Sequence, residues 1–194
     1  GLKRYQREFV LRQGLDLITW TFDPLEGVNA SLNFGKLGVV CRSYQRDLYG
    51  SLTNELNQGL PSDRFEVEWW IASRRVTSRL AQESIPPRLA ELAQAGVSIV
   101  NPLESVRSDD LSRLREQAAE AATTNKPQLL IEAPGDFQGL KAASLDTARA
   151  WRTSTREVFE QCFRARYIAA EFISDRTGAG RRNFYLLQRA VPNL

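Results

Sequence analysis

The sequence predicts a mixed α/β fold, and three observations carry that reading. FEVEWWIA at Phe65–Ala72 alternates, with Phe65, Val67, Trp69 and Ile71 facing one way and Glu66 and Glu68 the other, as in a half-buried antiparallel strand. Ser144 opens a helix through about Arg164, with Ala148, Trp151, Thr155, Val158 and Cys162 on one face. Tyr167–Ile173 and Asn183–Arg189 read as strands joined by SDRTGAGRR into a terminal hairpin.

The other elements follow in order. Gly1–Gln13 is a helix, since Leu2, Tyr5 and Phe9 keep helical spacing and Gly14 is a natural stop. Leu15–Phe22 is rich in β-branched and aromatic residues and reads as a strand buried on both faces, broken by Pro24 and Gly27. Asn29 caps a short helix over Ala30–Leu37, which Gly38 closes. Val39–Leu48 is the next strand, followed by a polar loop over Gly50–Arg64. Arg74–Gln94 is helical but interrupted by Pro86 and Pro87, so two helices are expected. Val97–Val100 is a short strand, Ser108–Ala122 an amphipathic helix and Pro127–Ala133 a strand.

Composition removes several chemistries. The 194 residues have room for one large domain or two small ones and include no His, which excludes a Ser-His-Asp triad, a Cys-His dyad and an imidazole metal site. The two cysteines, Cys41 and Cys162, form no CxxC; no metal is expected, and a reducing cytoplasm is the default location. No run of 18 apolar residues suggests a membrane span. The net charge is +3 and no long run of like charge occurs, which argues against a nucleic-acid partner. An Arg-rich RNA-binding module stays a third reading, and it requires salt-dependent binding to polynucleotide. With no Met and with Gly1 first, the sequence reads as part of a longer translation product or a processed one.

Individual residues carry local expectations. Arg176, Arg181 and Arg182 belong to a loop running into a strand, not into a helix N-terminus, so they are expected to be exposed in a hairpin turn. Arg149, Arg152 and Arg156 are expected on a solvated helix face, paired with acids such as Asp146 and Glu160. Cys41 has no His to activate it and is expected as a buried strand thiol.

WTFDPL at Trp20–Leu25, Asn29-Ala30, Lys36-Leu37-Gly38, Tyr49-Gly50 and PSDRFEVEWW at Pro61–Trp70, with IEAPGDFQ and WRTSTREVF later, resemble an uncharacterised branch of the GNAT N-acetyltransferases. The resemblance is to the C-terminal portion of that fold without its first strands. It implies that residues 1–72 complete a GNAT-like acyl-CoA N-acyltransferase sheet and that residues 73–194 form an accessory α/β module. That module either extends the sheet or packs as its own.

The resemblance further implies acetyl transfer from acetyl-CoA, as cosubstrate, to a small-molecule or peptide amine. The preceding segment of the same protein is an implied partner, and a homodimer is left open. Gly1 is placed as the last glycine of the pyrophosphate loop, with Thr21, Asn29, Asn33 and Phe34 beside the cosubstrate. Phe34 stands where many members have a Tyr that protonates the leaving thiolate, and Asn29 is displaced by two residues from the usual helix-opening Asn. Tyr44, with Tyr49 as a further position, is then the hydroxyl to consider, and Glu66 and Glu68 are the carboxylates for a base. A catalytically inactive GNAT-like domain that binds a ligand or partner is the alternative.

Overall fold

The alternation at Arg64–Trp70 is kept in three dimensions, with Phe65, Val67 and Trp69 buried and Arg64, Glu66, Glu68 and Trp70 half-exposed. The structure, a computed structural model, describes residues 1–50, 59–102, 116, 119–120, 123, 126–177 and 180–190. The elements are α1 (Leu2–Arg12), β1 (Leu17–Phe22), α2 (Gly27–Ala30), a π-helical segment (Ser31–Leu37), β2 (Val40–Gln45) and β3 (Arg64–Trp70). Then come α3 (Arg74–Leu80), α4 (Leu89–Gln94), β4 (Ser98–Ile99), β5 (Gln128–Ala133), α5 (Phe137–Ala143), α6 (Leu145–Arg164), β6 (Ile168–Thr177) and β7 (Gly180–Gln188). The helix expected at Ser108–Ala122 lies largely outside the described residues.

Seven strands form one mixed sheet in the order β1-β3-β2-β6-β7-β5-β4. Only the β4–β5 pair is parallel. β2 meets β6 where Cys41 stands opposite Ala169, so the later strands extend the sheet begun by the earlier ones. The helix α6 covers one face. Its Ala148, Trp151, Val158, Phe159 and Cys162 pack into a core with Phe65, Val67, Trp69, Phe172, Tyr185 and Leu187. On the opposite face Leu92 of α4 covers Leu130, Ile173, Phe184 and Leu186.

The centre of the larger core is aromatic. Phe65 has the rings of Phe159, Tyr185, Tyr44 and Phe22 edge-on at 4.7, 5.3, 5.9 and 5.9 Å between centroids. Edge-to-face contact places positive ring edges on negative ring faces, beyond what area burial contributes. Tyr185 keeps its hydroxyl satisfied there by donating to the Pro24 carbonyl at 2.6 Å. Cys41 and Cys162 are both buried free thiols; burial raises the first well above its ordinary value and pushes the second up to about 12.

Several expectations are corrected. β1 is an edge strand with only Phe22 buried, because nothing among the described residues pairs with its outer edge. Asn29 lies inside α2 and does not cap it; Glu26 occupies the N-cap position, and from Ser31 the helix continues with π geometry. Much of SDRTGAGRR is strand, since β6 runs to Thr177 and β7 begins at Gly180, with Arg176 directly opposite Arg181. The helix α5 is additional to the sequence reading; Asp136 caps it by accepting from the Gly139 amide at 2.9 Å.

Phe65→Ala is expected to lower stability by about 3–5 kcal/mol, because a ring with aromatic neighbours on several sides leaves a cavity that cannot collapse. Leu15→Ala, at an exposed position, should change it by less than about 0.5 kcal/mol. Urea unfolding of the two variants measures both; equal effects would contradict this account of the core.

Candidate functional site

Strand β1 has one edge bonded and one open. The Ile71 amide donates to the Asp16 carbonyl at 2.8 Å, and Ile18 faces Trp69 while Trp20 faces Val67. In an antiparallel ladder hydrogen-bonded pairs alternate, so Ile18, Trp20 and Phe22 point their backbone groups at β3. Leu17, Thr19 and Thr21 then point theirs outward. This open edge is a row of donors and acceptors with no strand beside it among the described residues.

The helix that follows β1 carries an exposed strip over Val28, Asn29, Leu32 and Lys36, while Asn33, Phe34 and Leu37 face inward and are buried. The π-helical segment admits an extra residue before Gly38, a geometry found often at functional sites. Gly38 ends the segment with φ +73°, and an added Cβ there would meet the Arg79 side chain at 3.3 Å. Facing the strip is the N-terminus of α1, whose first turn has no side-chain cap. Between them lies a cavity of about 660 Å³ lined by Gly1, Lys3, Arg4, Leu32, Gly35 and Lys36, among others. Lys3 lies 3.9 Å from the Trp20 ring centroid, and partial burial lowers its pKa. The positive end of the helix dipole and the cations Lys3, Arg4 and Lys36 give this cavity the chemistry of an anion site.

The structure brings only some of the sequence-derived residues together. Gly1 lines the cavity just described. Thr21 and Asn29 line a neighbouring cleft of about 530 Å³ with Asp23, Glu26, Tyr49, Arg64, Lys141 and Arg152. Phe34 lies in the core, edge-on to Phe22 and Tyr185 at 6.3 and 5.5 Å, and lines neither cavity. Asn33 is likewise buried.

The proposed acid and base residues are also separated. Tyr44 donates its hydroxyl to Asp63 at 2.8 Å, and burial with the adjacent Asp63 charge raises its pKa well above the ordinary tyrosine value. Glu68 is held by the Arg42 guanidinium at 2.8 Å and by the Trp70 indole N–H at 2.8 Å. Glu66 accepts from Gln45 at 3.3 Å and stands across from Thr21. The Tyr49 hydroxyl lies 3.3 Å from Thr21 Oγ1, on the cleft that Thr21 and Asn29 share.

Two of the three α6 arginines do not lie on a solvated face. Arg152 is buried and grips Asp23, with one bond of 2.7 Å; burial lowers its pKa, but the Asp23 charge and hydrogen bonds more than offset this. Arg156 holds Asp63 by two bonds of 2.8 Å. Arg149 alone pairs as expected, with Asp146 at 3.0 Å, while Glu160 pairs with Arg46. Of the hairpin arginines, Arg182 is not simply exposed but is bound to the buried Glu132 at 2.8 Å. A third buried cluster joins Arg75 and Arg79 to Glu171, at 2.9 and 2.8 Å.

Sequence reasoning missed Lys3, Arg4 and Glu26. The first two were legible as cations in the first turn of a helix whose N-terminus was already singled out. Glu26 lines both the Thr21 cleft and an adjoining cleft of about 630 Å³, and burial raises its pKa. Nothing local marks it, because the walls come from α5 and the hairpin.

No group of three His, Cys, Asp or Glu residues suited to a metal ion exists among the described residues, and none of their helices is long and apolar enough to cross a membrane. No protein-family model, curated protein or solved structure matches the chain.

Asp63 gives a pH prediction. Burial pushes its carboxyl up, but Arg156, the Asp47 amide and Tyr44 together hold it below the ordinary 3.8. A depressed carboxylate contributes stability above its unfolded pKa and loses that contribution as pH falls through the folded value. Asp63→Asn is therefore expected to cost about 2–3 kcal/mol at pH 7, with the deficit shrinking below about pH 4. Urea titrations at both pH values test this, and a deficit independent of pH would refute it.

Proposed function

We propose that the chain is part of a GNAT-like acyltransferase that moves an acetyl group from acetyl-CoA to an amine. The observation that carries this reading is the cavity between the α1 N-terminus and the Leu32–Lys36 part of the strip, from whose wall Lys3 reaches the Trp20 ring on the edge strand β1. Its chemistry fits an elongated ligand with an anionic end and an amide-bearing arm. The amides of Leu2 and Lys3 at the start of α1, with the Lys3, Arg4 and Lys36 side chains, would hold the pyrophosphate. The outward backbone groups of Leu17, Thr19 and Thr21 would bond the pantetheine amides, as a neighbouring strand would. Acetyl-CoA, when bound, supplies an activated thioester.

The remaining chemistry falls to side chains of the chain itself. Of the two carboxylates on β3, Glu66 is the better base, because Glu68 is already neutralised by Arg42. The amine attacks the thioester carbonyl directly and loses its proton to that base or to water.

A second reading, a GNAT-like domain that binds without turnover, is favoured by one observation. Phe34 offers no hydroxyl, and the Tyr44 hydroxyl is committed to Asp63. No proton donor for a thiolate stands on the helix after β1 at the expected position.

Calorimetric titration of the natural full-length protein with acetyl-CoA is expected to show binding that Lys36→Ala weakens about tenfold. No binding at millimolar acetyl-CoA would overturn both readings. Thioester turnover with a panel of amines separates them. An enzyme should lose about 10²–10³ in kcat on Glu66→Gln with little change in cosubstrate affinity, whereas binding without turnover in the parent protein selects the second reading.

A further inference from the structure

We propose that the terminal hairpin supplies a subsite for a phosphate monoester, through Arg181, with Arg176 opposite it on the paired strand, acting with Lys36. The inference rests on the acetyl-CoA reading for the identity of the ligand, but the site is argued from its own residues.

A cavity of about 370 Å³ lies between the α2–π-helical strip and the hairpin. Lys36, Ser31 and the backbone at Gly27 form one wall; Arg181, Ser174 and Asn183 form the other. No carboxylate lines it. The hairpin register places Ser174 opposite Asn183 and Arg176 opposite Arg181. Side chains two residues apart on a strand share a face, so all four stand on the same side of the hairpin. Directly opposed arginines repel one another across a strand pair. The β6–β7 pairing nevertheless sets these two side by side, and Arg181 lines the cavity that Lys36 also lines. A dianion between them removes the repulsion, and guanidinium and hydroxyl donors are the groups that recognise phosphate oxygens.

Two further observations fix the site. An added Cβ at Gly135 would fall 2.0 Å from the Arg181 carbonyl oxygen, so the glycine lets the β5–α5 connection press against the backbone that carries Arg181. Asn183, buried on the cavity wall, donates through Nδ2 to the Pro134 carbonyl at 2.8 Å and leaves Oδ1 without a partner. A buried acceptor of this kind calls for a donor, and a hydroxyl adjacent to the phosphate monoester would supply one.

The cavity shares Leu32 and Lys36 with the one at the α1 N-terminus. One ligand can therefore reach both, with its pyrophosphate at α1 and its monoester at the hairpin. Coenzyme A has that pair of groups, and dephospho-coenzyme A lacks the monoester.

Calorimetry of the natural full-length protein with each compound tests the assignment, using Arg181→Ala, a change at an exposed side chain. The expected result is about a tenfold loss of affinity for coenzyme A with no change for dephospho-coenzyme A. Equal losses for both, or no loss for either, would overturn the subsite and leave the acetyl-CoA reading in place. If neither compound binds the unaltered protein, the acetyl-CoA reading falls. Inorganic phosphate then decides the subsite: amide shifts at Ser31 and Ser174 that disappear in Arg181→Ala support a free-phosphate site, and absence of shifts overturns it.

Discussion

The ion pairs that α6 makes with the corner after β1 and with the residue before β3 organise this molecule. Arg152 reaches from the middle of α6 to Asp23, and one turn later Arg156 reaches Asp63. Both guanidiniums bind their carboxylate in the two-pronged geometry that fixes orientation as well as distance. Removing either partner of a buried pair leaves an uncompensated charge, so the pairs constrain how the two parts of the chain can meet. Tyr185 of β7 adds a tie to the same corner, donating to Pro24 from the centre of the aromatic core. The Asp23–Pro24–Leu25 turn is thus held by Arg152, by Arg64 at 3.3 Å from Asp23 and by Tyr185, and the helix that follows is positioned by it.

That positioning determines what the surface of the chain can offer. Because β6 and α3 pack against the π-helical segment and Phe34 packs on Tyr185 of β7, the Val28–Lys36 strip is turned outward. Arg79, bonded to the Gly35 carbonyl at 3.2 Å and to Glu171, anchors the same segment from below. The strip and the α1 N-terminus line one cavity, and Lys3 of α1 reaches the Trp20 ring on β1. The hairpin closes the far side, since β7 carries Tyr185 into the core and Arg181 to the rim on one continuous strand.

Much of the fold was legible in local pattern. Period two at Phe65–Ile71 and helical spacing over Ala148–Cys162 are dictated by which side chains must leave water, and both hold. The prolines at 86 and 87 lie between α3 and α4 as expected, although α3 already ends at Leu80, where Gln82 turns left-handed with φ +62°. Patterning failed where a neighbour overrode propensity. Leu17–Phe22 is apolar enough for a central strand, yet it lies at an edge. Arg152 has the character of a surface residue, yet Asp23 lies 129 positions away in sequence and draws it inside. The site was legible in part: the α1 N-terminus, Thr21, Asn29 and the Lys36 segment were marked, while Phe34, Asn33 and Tyr44 were spent on the interior.

The sequence by itself determined the kinds of element, the absence of imidazole chemistry, and the burial of its alternating strand and long helix. These follow from side-chain chemistry and short-range periodicity. Only the tertiary structure decided which charges are paired and which are left facing a cavity, because pairing joins residues that no local spacing relates. Arg152, Arg156 and Arg182 are bound to carboxylates, while Lys36 and Arg181 face one another across a cavity that no carboxylate lines. Residue type alone does not separate the first group from the second; the path of the chain does.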